Sequence, residues 1–75
     1  MRVIHTVAAE LVASIFKVVV AAGDSVSPGD TLFILESMKM EIPVICEVTG
    51  TVTEVVVVEG EVVTEGDSLA VITTD

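Results

Sequence analysis

The sequence has no tryptophan or tyrosine, only two phenylalanines, one cysteine, one histidine and three basic side chains in 75 residues. Each scarcity excludes something. A single cysteine, Cys46, cannot close an internal disulfide, and with His5 as the only histidine there is no His/Cys cluster for a structural metal. The length is near the lower limit for a self-supporting core, so without staples the stability must come from packing. Three basic against twelve acidic side chains give a formal charge of −9. That balance argues against nucleic acid and anionic membrane as partners, because both call for a basic surface. Proteins carrying basic patches are the expected partners. Long apolar runs are also missing: although the mean hydropathy is +0.88, Glu10, Lys17, Asp24, Asp30, Glu36 and Glu41 interrupt the chain well short of the ~20 residues of a membrane-spanning helix. Arg2 is followed by a short apolar stretch, broken by His5 and Thr6 and ended by Glu10, which does not read as a secretory signal. An unpaired cysteine agrees with a reducing cytoplasm, the expected location.

What is abundant is the β-branched side chain. Valine, isoleucine and threonine together fill 31 of the 75 positions, a strand-favouring composition. Gly23-Asp24, Pro28-Gly29-Asp30, Thr49-Gly50, Gly60-Glu61 and Gly66-Asp67 cut the chain into short pieces, as turn residues do. No segment sustains a 3.6-residue apolar period, so the expectation is one all-β domain over residues 1–75.

Shifting the chain by 37 positions aligns residues 13–35 with 50–72 without a gap. Eight pairs are then identical, including Gly23/Gly60, Val26/Val63, Gly29/Gly66, Asp30/Asp67 and Leu32/Leu69. The chain thus reads as two copies of one β unit. Ser27-Pro28-Gly29-Asp30 suits a type II turn, with Thr64-Glu65-Gly66-Asp67 as its counterpart, and Asp30 and Asp67 read as turn residues rather than paired acids. Alternation assigns Val18, Val20, Val26, Leu32 and Ile34 to the core, with Val55, Val57, Val63, Leu69 and Val71 as their equivalents. Ile15 and Val52 join them, and their spacing from Val18 and Val55 predicts a bulge or bend in each copy.

Residues 32–46 contain no glycine and would make an unusually long strand, so the chain is expected to reverse there. The polar interruption Glu36-Ser37-Met38-Lys39-Met40-Glu41 places Lys39 at the hairpin tip. The equivalent position in the second copy falls just past Thr74 and Asp75, which puts the chain end at the opposite pole and leaves the tip unobstructed. Methionines on an exposed turn add little to a core and suit recognition by another protein. An aliphatic amine is acylated only after losing its proton, so any modification of Lys39 requires an enzyme. By contrast, Cys46 reads as a small buried strand residue. His5 has no partner motif for a metal or catalytic role, and Glu36 and Glu41 read either as solvated hairpin charges or as contacts for a modifying enzyme.

The segment ESMKMEIPV, residues 36–44, within this glycine, valine and aspartate frame, closely resembles the biotinyl-attachment domain of biotin carboxyl carrier proteins. The resemblance covers residues 11–73. It implies a flattened β-barrel, or barrel-sandwich hybrid, of two four-stranded antiparallel sheets related by a pseudo-twofold axis. It further implies that biotin protein ligase attaches biotin covalently to Lys39, with Met38 and Met40 as flanking recognition residues and Glu36 as a possible ligase contact. The implied function is a non-catalytic carrier that takes carboxybiotin from a biotin carboxylase to a carboxyltransferase, with no metal site. Related lipoyl domains share the fold but usually have an acidic or small residue before the lysine and a small one after it, so Met38 and Met40 favour biotin. The gapless repeat leaves no room for the thumb inserted in some carriers of acetyl-CoA carboxylases. Ala13 stands where the family commonly has glycine, which puts a local bend in doubt. In lacking a linker or second domain the chain resembles small free-standing biotinyl-attachment proteins. A lipoyl carrier and an unmodified lipoyl-like interaction module are the alternatives.

Overall fold

The computed structural model describes residues 2–74, which form eight strands: β1 (Val3–Ala8), β2 (Ala13–Val18), β3 (Ser25–Val26), β4 (Thr31–Ser37), β5 (Met40–Ile45), β6 (Gly50–Val55), β7 (Val62–Val63) and β8 (Ser68–Thr74). All pairings are antiparallel, giving two four-stranded sheets in the orders β1-β8-β6-β3 and β5-β4-β2-β7. Adding 37 to the residue numbers of β2, β3 and β4 yields β6, β7 and β8, and β1 stands in the same relation to β5. The second sheet order therefore maps onto the first strand for strand, as a pseudo-twofold axis requires. No helix among the described residues is long and apolar enough to cross a membrane.

The turns are built from carboxylates as much as from glycine. At Ser27–Asp30 the Asp30 amide donates to the Ser27 carbonyl at 3.1 Å, while the Asp30 carboxylate accepts from the Ser27 amide at 2.9 Å. Gly29 takes the positive φ of 97° that the third position of a type II turn demands. Thr64–Asp67 repeats the arrangement, and Ala21–Asp24 and Val58–Glu61 are closed in the same manner. Asp30 and Asp67 are thus turn-closing groups. Residues 19–24 join β2 to β3 directly.

Bulges decide which side chains enter the core. Phe16 is the extra residue where β2 pairs with β4, and Thr53, 37 positions later, is the extra residue where β6 pairs with β8. These are the irregularities expected after Ile15 and Val52, both of which are buried. A second pair of bulges lies at Leu32, against β5, and at Leu69, against β1. These shift the alternation by one residue. After Leu32 the inward positions are Phe33 and Leu35, and after Leu69 they are Ala70 and Ile72. Ile34 and Val71, expected in the core, are instead half-buried and outside it. Of the other expected members, Val26, Leu32, Val57, Val63 and Leu69 are buried, while Val18, Val20 and Val55 pack partly buried against them.

Ala13 and Gly50 open equivalent strands but differ in what they tolerate. Ala13 is buried with its Cβ in place. A Cβ on Gly50 would collide with the backbone carbonyl oxygen of Thr73 and come within 3.0 Å of Ile72 Cγ2. Because the obstruction is backbone within a paired strand, Gly50→Ala is expected to cost about 1–3 kcal/mol as a strain penalty. Urea denaturation should show a lower midpoint at unchanged slope.

Candidate functional site

Strands β4 and β5 pair along their whole length, from Thr31↔Ile45 to Ser37↔Met40, leaving a loop of two residues, Met38 and Lys39. Both have positive φ, 52° and 64°. A two-residue loop with both central residues left-handed is a type I′ turn, whose twist matches that of the strands it joins. Such turns normally use asparagine or glycine, because a Cβ in this region costs on the order of 1–2 kcal/mol per residue. Here the paired strands hold a methionine and a lysine in that conformation.

The tip stands clear of the body. Met38 is 90% exposed and Met40 62%, and Lys39 is exposed between them. The Lys39 side chain has no hydrogen-bond or ion-pair partner among the described residues. One pair down the hairpin, Glu36 and Glu41 sit directly opposite each other, both exposed. Like charges facing across a strand pair repel, so this neck is tolerated rather than required by the fold. The structure therefore gathers Glu36, Met38, Lys39, Met40 and Glu41 on one projection, with the amine at its apex.

The opposite end follows the same register. Val3 pairs with Thr74 as Met40 pairs with Ser37, so the first and last strands occupy in one sheet the place the lysine hairpin occupies in the other. Asp75, named with Thr74 as the expected opposite pole, lies outside the described residues. Cys46 is buried, and its Sγ donates to the Val48 carbonyl at 3.0 Å, a packing role. His5 is half-buried on β1, away from the tip.

Two grooves, of about 330 and 240 Å³, run between β1 and β5, and neither is lined by Met38, Lys39 or Met40. Neither groove offers the tip a cradle for a free cofactor. An unpartnered primary amine at the end of a rigid arm fits a group held by a covalent bond. Sequence reasoning located this lysine from strand length and polarity but missed the left-handed backbone of both tip residues. The usual signal for it, an Asn-Gly or similar pair, is absent.

Over 39 residues, 52% of its length, this chain is 64% identical to the biotinylated protein TB7.3 homolog of Mycolicibacterium smegmatis, and over 42 residues 47% identical to the biotin/lipoyl attachment protein of Bacillus subtilis. The matched stretches make up 55% and 58% of those relatives, so the chain spans little more than half their length. Among solved structures, a single-chain, multi-domain long-chain acyl-CoA carboxylase superposes with a TM-score of 0.90 at 29% identity over 96% of this chain and 7% of its own. The Kluyveromyces lactis urea carboxylase gives 0.85 at 35% identity over 92% of this chain and 6% of its own. The family model Biotin_lipoyl, described as biotin-requiring enzyme, matches residues 4–72, nearly all of the two sheets and the whole of the lysine hairpin, and the chain belongs to that family.

Proposed function

We propose that this domain is a biotin carboxyl carrier in which Lys39 is the attachment site. The observation that carries the reading is the isolated amine at the apex of a two-residue turn, flanked by exposed methionines and outside the two grooves between β1 and β5. The cofactor is biotin, joined through an amide. The Lys39 amine, having lost a proton, attacks the carboxyl carbon of biotin activated by a biotin protein ligase; the C–N bond forms and the activating group leaves. Met38 and Met40 present apolar surface to the ligase, and Glu36 offers it a charge on the hairpin neck.

Bound biotin supplies a ureido nitrogen that accepts and releases a carboxyl group. The chain itself contributes a stiff body and a fixed point of attachment. Tethering makes delivery to docked partners intramolecular, with effective concentrations of roughly millimolar. In this reading a biotin carboxylase loads the carrier and a carboxyltransferase unloads it, both within the cytoplasm, and the carrier performs no catalysis of its own. The acidic surface favours encounter with basic docking faces, an effect that salt weakens.

Intact mass spectrometry after incubation with biotin, ATP and an active biotin protein ligase tests the assignment. The expected result is one biotinyl increment, localised to Lys39 by fragmentation and absent from Lys39→Ala. A parallel incubation with a lipoate ligase should leave the mass unchanged. A lipoyl increment in its place would turn the assignment to a lipoyl carrier, and no increment from either ligase would leave an unmodified interaction module.

A further inference from the structure

Strands β1 and β5 each form one edge of their sheet, are related by the 37-residue shift, and do not pair with each other. Their ladder parity is fixed by backbone hydrogen bonds at equivalent residues. The Ala9 amide donates to Asp67 and its carbonyl accepts from Gly66; the Cys46 amide donates to Asp30 and its carbonyl accepts from Gly29. Counting back by alternation, Val7 and His5 turn their backbone groups toward β8, whereas Ala8, Thr6 and Ile4 turn theirs to the free edge. On β5 the free-edge positions are Ile45, Pro43 and Glu41.

The two edges are therefore not equivalent. Pro43, at the middle of the β5 edge, has no N–H to offer, which is a standard means of blunting an edge. Its counterpart on β1 is Thr6, whose N–H is available. Ile4 beside it is 68% exposed. Of these two equivalent edges, the one on β5 is closed by proline and the one on β1 is left open.

The open edge borders an acidic channel. The two grooves between β1 and β5 share Ala8, Glu10, Val44, Ile45 and Glu47 in their linings, so they are continuous, and two carboxylates line both. His5 joins one of them, and neither has a lysine or arginine in its lining. A strand added to β1 would lie over this channel and project alternate side chains toward Glu10 and Glu47.

We propose that the β1 edge is a docking site for an extended segment of a partner protein bearing lysine or arginine at alternate positions, held by backbone hydrogen bonds to Ile4, Thr6 and Ala8 and by charge complementarity to Glu10 and Glu47. A second copy of this chain is disfavoured because it brings the same charge of −9 to the interface. The site lies on the body of the domain and uses none of the hairpin residues, so it stands whether or not Lys39 is modified.

The test uses the unmodified full chain and a capped octapeptide of alternating lysine and valine, followed by amide chemical shifts at low salt. Shifts should concentrate at Ile4, Thr6, Ala8, Glu10 and Glu47, and the peptide with glutamate in place of lysine should leave them unmoved. Thr6→Pro copies the residue already present at the equivalent position of β5, so it should fold while weakening binding at least tenfold. The pair Glu10→Gln with Glu47→Gln should weaken binding several-fold and decides the matter if the proline variant does not fold. Shifts confined to another face, or equal binding by the glutamate peptide, would overturn the proposal. So would peptide-independent, concentration-dependent dimerisation through β1, which would assign the edge to a second copy.

Discussion

Exchanging the two tip residues, Met38→Lys with Lys39→Met, is expected to reduce biotin incorporation at least about a hundredfold while leaving composition, charge and stability almost unchanged. The double variant keeps a lysine on the same two-residue turn, in the same left-handed region of backbone space. Its amine, however, starts from a Cα about 3.8 Å away and leaves the turn in a different direction. A ligase that aligns an amine with an activated carboxyl depends on near-attack geometry, where a displacement of about 1 Å can cost a factor of about a hundred. Time courses of biotin incorporation, with circular dichroism of both proteins, check the result. If the exchanged protein were labelled at the native rate, a flexible and exposed lysine would be all the ligase needs, and the fixed turn would have no part in recognition.

Much of this site is legible in the sequence. Strand length and the polar run from Glu36 to Glu41 were enough to put Lys39 at a reversal, because fifteen residues without a glycine cannot continue as one ordinary strand. The type of reversal was not legible. A type I′ turn announces itself through residues that tolerate positive φ, and Met38 and Lys39 are not among them. What holds them is the ladder of six residue pairs from Ser37–Met40 to Thr31–Ile45, a property of the hairpin as a whole. The edge asymmetry depends likewise on tertiary pairing: Pro43 and Thr6 have distinct meanings only once each is known to point away from its sheet.

The fold shows the same division. The 37-residue shift exposed the duplication, and the extra residues after Ile15 and Val52 were visible as breaks in alternation. The bulges at Leu32 and Leu69 were hidden, because they fall within uniformly apolar runs. In Leu32-Phe33-Ile34-Leu35 every residue can serve on either face, so hydrophobic pattern carries no parity and register alone selects Phe33 and Leu35 over Ile34. The same ambiguity at Leu69-Ala70-Val71-Ile72 moved Val71 out of the core.

The two phenylalanines make that distinction measurable. Phe33 is fully buried, the largest side chain in the core, whereas Phe16 is 42% exposed at a bulge. Removing a buried phenylalanine side chain costs about 3–5 kcal/mol through lost transfer energy and the cavity left behind. A domain of this size without disulfide or metal has roughly 3–5 kcal/mol to lose, so Phe33→Ala is expected to be largely unfolded at 25 °C. Phe16→Ala should lose about 1 kcal/mol or less, since a partly exposed ring gives up little on truncation. Thermal unfolding followed by circular dichroism distinguishes them: no cooperative transition for the first, a midpoint a few degrees lower for the second. The loss should extend to function, because the left-handed turn at Met38 and Lys39 is imposed by β4 and β5, and Phe33 anchors β4. Biotin incorporation into Phe33→Ala should therefore fall with its folded fraction, and recover as that fraction is restored by a stabilising osmolyte. Native-rate labelling of the unfolded chain would show that the local sequence around Lys39 suffices, with the barrel serving only to carry what the ligase attaches.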